Sequence, residues 1–243
     1  MSKKLNKRIA LVTGASRGLG KAISLALANE DATVIVTATD KTRLKPVADK
    51  IKKSGGNAEI IPADLTKEND IISLIEQTKN TFGKLDILIN NAGVTQSSKI
   101  EDTPTEKWDL CMAVNARAPF ILCRQALPLL YKSDQAAVIN IASVVGIKGY
   151  PLQSAYTASK HALRGMTMSL AEELKKTRIR VHLLCPGGID TDLVTQVRPD
   201  IKKDELMKPE EIAELVIYLL THRGNAVLDE LRIRRAASNP WFD

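Results

Sequence analysis

The 243-residue sequence predicts an α/β fold, a single doubly wound seven-stranded parallel sheet with helices on both faces. Three observations predict it. Short β-branched runs alternate with stretches of helical period, as in repeated βαβ units. The runs are apolar throughout, as strands covered on both faces must be. Connections are short, and no repeat, low-complexity tract or Pro/Gly-rich linker divides the chain, so one domain is expected over residues 1–243.

Taken in order, the strands are expected at 9–13, 34–38, 58–62, 87–90, 137–141, 178–184 and 226–233. Between them, Leu19, Ala22, Ile23 and Ala26 recur at helical spacing, as do Ile71, Leu74 and Ile75, and later Ile212, Leu215, Val216 and Leu219. Each stripe has a sheet face to cover. Residues 189–208 are polar, include Pro199, and are expected to form a substrate loop or short mobile helices beside the site.

Composition fits this picture. With 44% hydrophobic and 26% charged residues, the chain lies far from the disordered regime. Cys111, Cys123 and Cys185 match no zinc-ligand spacing and read as small hydrophobes in a reducing cytosol; no metal site is expected. The apolar run after Lys3, Lys4, Lys7 and Arg8 stops at Thr13-Gly14, too short for an export signal, and no stretch would span a bilayer. A cytoplasmic location is the expectation. The net charge of +7 raises nucleic acid as a partner, but cations and anions are interspersed, as in Lys67-Glu68, and no nucleic-acid or membrane partner is expected.

Directly after the first strand comes Thr13-Gly14-Ala15-Ser16-Arg17-Gly18-Leu19-Gly20. Glycines let the backbone turn tightly and approach a pyrophosphate, while the free N–H groups and dipole of the following helix favour an anion. The spacing, G-x-x-x-G-x-G, differs from the usual dinucleotide fingerprint. It also fails as a phosphate-hydrolysing loop, which would need Gly at 15 and Ser or Thr at 22. Strand two ends Thr37-Ala38-Thr39, with Asp40 only afterwards and Arg17 in the loop as a phosphate partner. An NAD site usually places a carboxylate at that strand end, so NADP(H) is expected over NAD(H).

Tyr156 and Lys160 stand four apart in a helical stretch and share a face. An ammonium about 4 Å from a phenol at an effective dielectric near 20 is worth roughly 4 kcal/mol, or about 3 pKa units, enough to bring the tyrosine towards neutrality. Alone, the pair recurs on many solvated helices. Upstream, Ser143 follows the apolar run 137–141 at the strand's carboxyl end, where a hydroxyl can meet a carbonyl oxygen or simply cap a turn. His161, His182 and His222 accompany no G-x-S-x-G elbow, which disfavours serine hydrolysis.

Together Thr13 to Gly20, Asn90-Asn91-Ala92-Gly93, Asn115, Ser143, Tyr156 with Lys160, and Pro186-Gly187 resemble the short-chain dehydrogenase/reductase family over essentially the full length. Within it the chain is most similar to bacterial 3-oxoacyl-[acyl-carrier-protein] reductases. The resemblance implies a Rossmann-type fold and an NADPH-dependent carbonyl reductase or alcohol dehydrogenase. It implies Tyr156 as general acid/base, Ser143 polarising the carbonyl, Lys160 holding the nicotinamide ribose, and Asn115 fixing a proton-relay water. Gly14, Ser16, Arg17, Gly18, Leu19 and Gly20 would cradle the cofactor. Thr39 and Arg17 would flank the 2′-phosphate, and Thr37 would also belong to the cofactor-binding set. Asp64 and Leu65 would flank the adenine, Asn91, Ala92 and Gly93 the ribose, and Pro186, Gly187, Ile189 and Thr191 the nicotinamide. A homotetramer or dimer is implied through the helix at 154–174 and the last strand.

Three features depart from that pattern. The last strand runs Leu231-Arg232-Ile233-Arg234-Arg235 where many members carry Gly-Gly, the tail 236–243 ends in Trp241-Phe242-Asp243, and the substrate loop is short for an acyl-carrier-protein reductase. An acyl-carrier-protein-dependent 3-oxoacyl reductase and a non-catalytic dinucleotide sensor therefore stand as alternatives.

Overall fold

The computed structural model describes residues 3–198 and 200–242; Pro199, expected in the substrate loop, and the terminal Asp243 lie outside them. Seven strands form one parallel sheet in the order β3-β2-β1-β4-β5-β6-β7. They are β1 (Ile9–Thr13), β2 (Thr33–Thr37), β3 (Asn57–Ile60), β4 (Ile87–Asn90), β5 (Ala137–Ile141), β6 (Arg180–Pro186) and β7 (Glu230–Ile233). Along β1, Ala10 and Val12 face one core while Ile9 and Leu11 face the other, as the two-residue period of a strand requires. The first core is closed by α1 (Gly18–Asn29), α2 (Lys41–Lys53) and α8 (Pro209–Thr221); the second by α3 (Glu68–Phe82), α5 (Ala118–Leu130) and α6 (Ser154–Leu174). This is the Rossmann-type doubly wound architecture.

The strands at 9–13, 87–90 and 137–141 coincide with the sequence expectation, because a run buried on both faces is bounded by its neighbours' polarity. Two others shift. β6 begins at Arg180 and runs on to Pro186, and β7 is confined to Glu230–Ile233. The apolar Val227 and Leu228, expected in the strand, stay about half exposed before it. The substrate loop folds as α7 (Asp192–Val197) and a 3-10 turn at Lys203–Glu205, pinned by a bridge between Ile189 and Met207. α4 (Thr105–Met112) runs into α5 through a widened π turn at Ala113–Arg117.

After β3 the chain crosses β1 to build β4 on the other side, so the connections on either side of the β1/β4 boundary diverge. A crevice opens there at the carboxyl ends of the strands. Among the described residues no helix is long and apolar enough to cross a membrane, and no group of three His, Cys, Asp or Glu side chains could hold a metal ion.

Candidate active site

The crevice continues into a cavity of about 1060 Å³. Its entrance is the turn between β1 and α1. Gly14 and Gly18 adopt left-handed φ of +64° and +51°, which side chains rarely tolerate. Gly20 serves a different need: a Cβ there would lie 2.3 Å from the Gly14 carbonyl oxygen and 2.5 Å from the Asn91 amide nitrogen. The residue before α1, Arg17, supplies no side-chain cap, which leaves the first N–H groups of the helix open.

Thr13 locks this turn to the end of β4. Its hydroxyl donates to the Ile89 carbonyl at 3.2 Å and accepts from the amides of Asn91 and Ala92 at 2.9 and 3.0 Å. Asn91 Nδ2 donates back to the Thr13 carbonyl at 2.8 Å. Beyond β2, Thr39, Asp40 and Arg43 line the cavity. Asp40 caps α2, accepting from the amide and hydroxyl of Thr42, and pairs with Arg43 at 3.5 Å. Asp64 and Leu65 line the next wall; Thr66 donates both amide and hydroxyl to the Asp64 carboxylate and holds it below the usual carboxylate range.

Ser143, Tyr156 and Lys160 converge at the far side of the same cavity. Ser143 follows β5 in extended backbone, and its side chain beside the Tyr156 phenol favours the ionised form. Tyr156 and Lys160 project from one face of α6 and are both buried, 8% and 3% exposed. The Lys160 ammonium donates to the Ile141 carbonyl at 2.8 Å and lies 5.9 Å from the Tyr156 ring centroid. Burial pushes the phenol up to about 12, only partly opposed by Ser143, and draws the ammonium down to about 8. This corrects the expectation that Lys160 draws the tyrosine towards neutrality. Desolvation dominates at the phenol, and in this arrangement the ammonium is directed at the Ile141 carbonyl.

Two residues expected at the site do not line the cavity. Thr37 is fully buried and its hydroxyl has no hydrogen-bond partner; only its carbonyl serves the site, accepting from the Ala15 amide at 3.1 Å. Asn115 is fully buried in the π turn. Its side chain accepts from the Val94 amide at 2.9 Å and donates to the Val94 carbonyl and Ser159 hydroxyl at 2.8 and 2.9 Å, which fixes the segment after Gly93 against α6. The other expected residues, including Ser16, Leu19, Ala92, Pro186, Gly187, Ile189 and Thr191, all line the cavity. Gly187 donates its amide to the Ile233 carbonyl at 2.7 Å, which aligns β7 beside that wall.

The family model described as short chain dehydrogenase matches residues 8–202. The chain is a short-chain dehydrogenase/reductase. An uncharacterized oxidoreductase of Staphylococcus aureus strain MRSA252 is 35% identical to this short-chain dehydrogenase/reductase over 230 residues, 95% of this chain and 98% of that protein. A solved metagenomic short-chain oxidoreductase in complex with NADP superposes with a TM-score of 0.85 at 33% identity, covering 97% of this chain and 100% of that one. An alcohol dehydrogenase of Thermococcus sibiricus complexed with 5-hydroxy-NADP gives a TM-score of 0.88 at 26% identity, over 96% and 98%. The short-chain dehydrogenase/reductase described here is an NAD(P)-dependent oxidoreductase.

Several cavity residues of this short-chain dehydrogenase/reductase escape a sequence reading. Arg43, Lys148, Tyr150, Gln153, Arg198 and, from the tail, Arg234, Arg235, Ala237, Ser238 and Asn239 line the wall. Arg43 follows from its place one turn into α2. The tail carries no such signal, since only tertiary folding returns it to the cavity.

Proposed function

We propose that this enzyme reduces a ketone, or oxidises the corresponding secondary alcohol, with NADP(H) preferred over NAD(H) and Tyr156 as general acid/base. The observation that carries the reading is the convergence of Ser143, Tyr156 and Lys160 in one cavity that starts at a glycine turn with open helix amides. The residues fit a dinucleotide. Gly14, Gly18 and Gly20 leave a cradle that a Cβ would fill, and the amides at the start of α1 can receive the pyrophosphate. Asp64 and Leu65 would flank the adenine, Asn91, Ala92 and Gly93 the ribose, and Pro186, Gly187, Ile189 and Thr191 the nicotinamide.

The preference for NADP rests on Asp40. It caps α2 through Thr42 instead of ending the strand, and the exposed cations Arg17 and Arg43, whose pairs with Asp192 and Asp40 are surface contacts, line the same corner with Thr39 and can turn to a phosphate. When bound, the nicotinamide supplies or accepts the hydride. The chain's own groups handle the proton. Tyr156, held protonated across neutral pH by burial, can deliver its hydroxyl proton to a developing alkoxide, while Ser143 fixes the carbonyl oxygen within reach. Lys160 places a cation beneath the site that stabilises the phenolate left behind.

Binding of NADPH and NADH followed by fluorescence, with turnover on a panel of ketones, tests the reading. The expected result is at least tenfold tighter NADPH binding and NADPH oxidation by one or more ketones. Tenfold tighter NADH binding, or bound cofactor with no oxidation across the panel, would overturn it.

A further inference from the structure

Beyond Ser143 and Tyr156 the cavity reaches a wall made by the C-terminal segment, where Arg234, Arg235, Ala237, Ser238 and Asn239 line it. The segment is folded by its own arginines. Arg234 NH1 donates to the carbonyls of Arg235, Ala236 and Ser238 at 3.1, 3.1 and 2.8 Å, curling the tail around one guanidinium. Arg235 packs its stem against Gly188, where an added Cβ would lie 3.3 Å from Cδ, and pairs with Glu205 of the substrate loop at 3.2 Å. Tail and substrate loop are thereby tied together over the cavity.

The charges on this wall differ in what they face. Arg235 is neutralised by Glu205, and Arg198 spends both Nε and NH2 on Asp200 at 2.8 and 2.7 Å. Arg234 has no carboxylate partner among the described residues, and its Nε and NH2 make no hydrogen bond there. The cations suited to the cofactor's phosphate, Arg17 and Arg43, belong to other elements, the glycine turn and α2. Arg234 is exposed, so these two open donors stand at the rim of the cavity, where a guanidinium can receive an oxyanion from an entering substrate. The cavity is also lined by Val144, Leu193, Val197 and Ile201, which suit a short apolar linker.

We propose that Arg234 is a specificity residue that receives an anionic group, carboxylate or phosphate, on the carbonyl substrate. The inference rests on the proposed ketone chemistry and names its substrate class.

The test compares matched substrates at saturating NADPH: a keto carboxylate against its methyl ester, and a phosphorylated ketone against its unphosphorylated counterpart. Each is assayed with the wild type, Arg234→Gln and Arg234→Lys. One anionic form is expected to exceed its neutral partner by about tenfold in kcat/KM, expressed in KM, as one charge-assisted hydrogen bond implies. Whichever pair shows the preference identifies the anion. Arg234→Gln should erase it, costing the anionic form about tenfold more than the neutral one, with NADPH affinity within about twofold; Arg234→Lys should retain part. Equal use of anionic and neutral forms by the wild type would overturn the inference. So would an equal loss on both forms in Arg234→Gln, which marks a purely structural staple, or a loss of NADPH affinity with the preference intact. If Arg234→Gln does not fold, the wild-type ratio and Arg234→Lys decide. Turnover of no form, with NADPH bound, overturns the proposed activity and the inference together; turnover without anion preference overturns the inference alone.

Discussion

The two ends of the sheet answer the same problem in opposite ways. All strands run parallel, so the helix C-termini gather at the amino end and their carbonyls need donors. Three arginines tie that end together, two of them reaching the C-terminus of α8 and all three reaching the loops that lead into β5, β6 or β7. Arg8 donates to the carbonyls of Leu220 at 3.4 Å and Gln135, Arg180 to those of His222 at 3.2 Å and Gly224, and Arg223 to those of Ala136 at 3.3 Å and Arg178 at 3.2 Å. At the carboxyl end the needy groups are amides at helix N-termini. There the chain provides glycines and open space. One end is sealed from within, and the other is left for an anionic ligand to complete. Function sits where the chain withholds its own partners.

Charge sharpens the contrast. At the sealed end, burial together with Arg180 and Arg8 draws Arg223 down to about 10, so it remains charged at neutral pH. At the open end, burial brings Lys160 to about 8, close to the range where it releases its proton.

The largest effect should come from filling the open end. Gly20→Ala places a methyl against the Gly14 carbonyl and the Asn91 amide. It should lower cofactor affinity by about thirtyfold or more, as about 2 kcal/mol of overpacking implies, readable by cofactor titration. A loss below threefold would mean that the turn is not a cradle.

At the sealed end, Arg8→Met leaves the carbonyls of Leu220 and Gln135 without that donor. It should cost about 2 kcal/mol in denaturant unfolding while leaving kcat unchanged. A fall in kcat at equal stability would show that the two ends are coupled.

A smaller change of opposite sign is expected from Lys160→Met. The folded pKa of Lys160 is depressed from 10.5 to about 8, so the unfolded chain holds this proton more tightly: the cost of the buried charge is fully present below about 8 and is relieved as pH rises from about 8 to 10.5. Removing the buried charge should stabilise the fold at pH 7 by about 1–3 kcal/mol, should flatten the pH dependence in that window, and should abolish turnover. Destabilisation at pH 7 would mean that its bond to Ile141 outweighs its desolvation.

The smallest effect is expected from Thr37→Val, which exchanges an unpartnered buried hydroxyl for a methyl. Stability should rise by up to about 1 kcal/mol with cofactor affinity unchanged. A weakened cofactor complex would restore Thr37 to the site.

The sheet was legible because strands buried on both faces print an uninterrupted apolar run, as at Ile87–Asn90 and Ala137–Ile141. The cavity lining was legible as far as it hangs on strand ends, where position in the fold follows from position in the sequence. Thr37 and Asn115 stand behind the cavity wall for the same physical reason. Each sits in a segment that borders the site, but its side chain is directed into the interior, where Asn115 ties Val94 to Ser159. The ionisation of Tyr156 could not be read because it depends on burial, a property of packing. Pairings such as Arg17 with Asp192 at 2.6 Å, joining the glycine turn to α7, depend on loops that no periodicity describes.

The central claim is that one buried phenol moves the proton. Tyr156→Phe removes that hydroxyl and leaves the ring, the glycine turn and Lys160 in place. Measured beside the wild type, its NADPH affinity should stay within about twofold while ketone turnover falls by about a thousandfold, the scale of a lost general acid. Turnover within tenfold of the wild type, with cofactor bound, would contradict it.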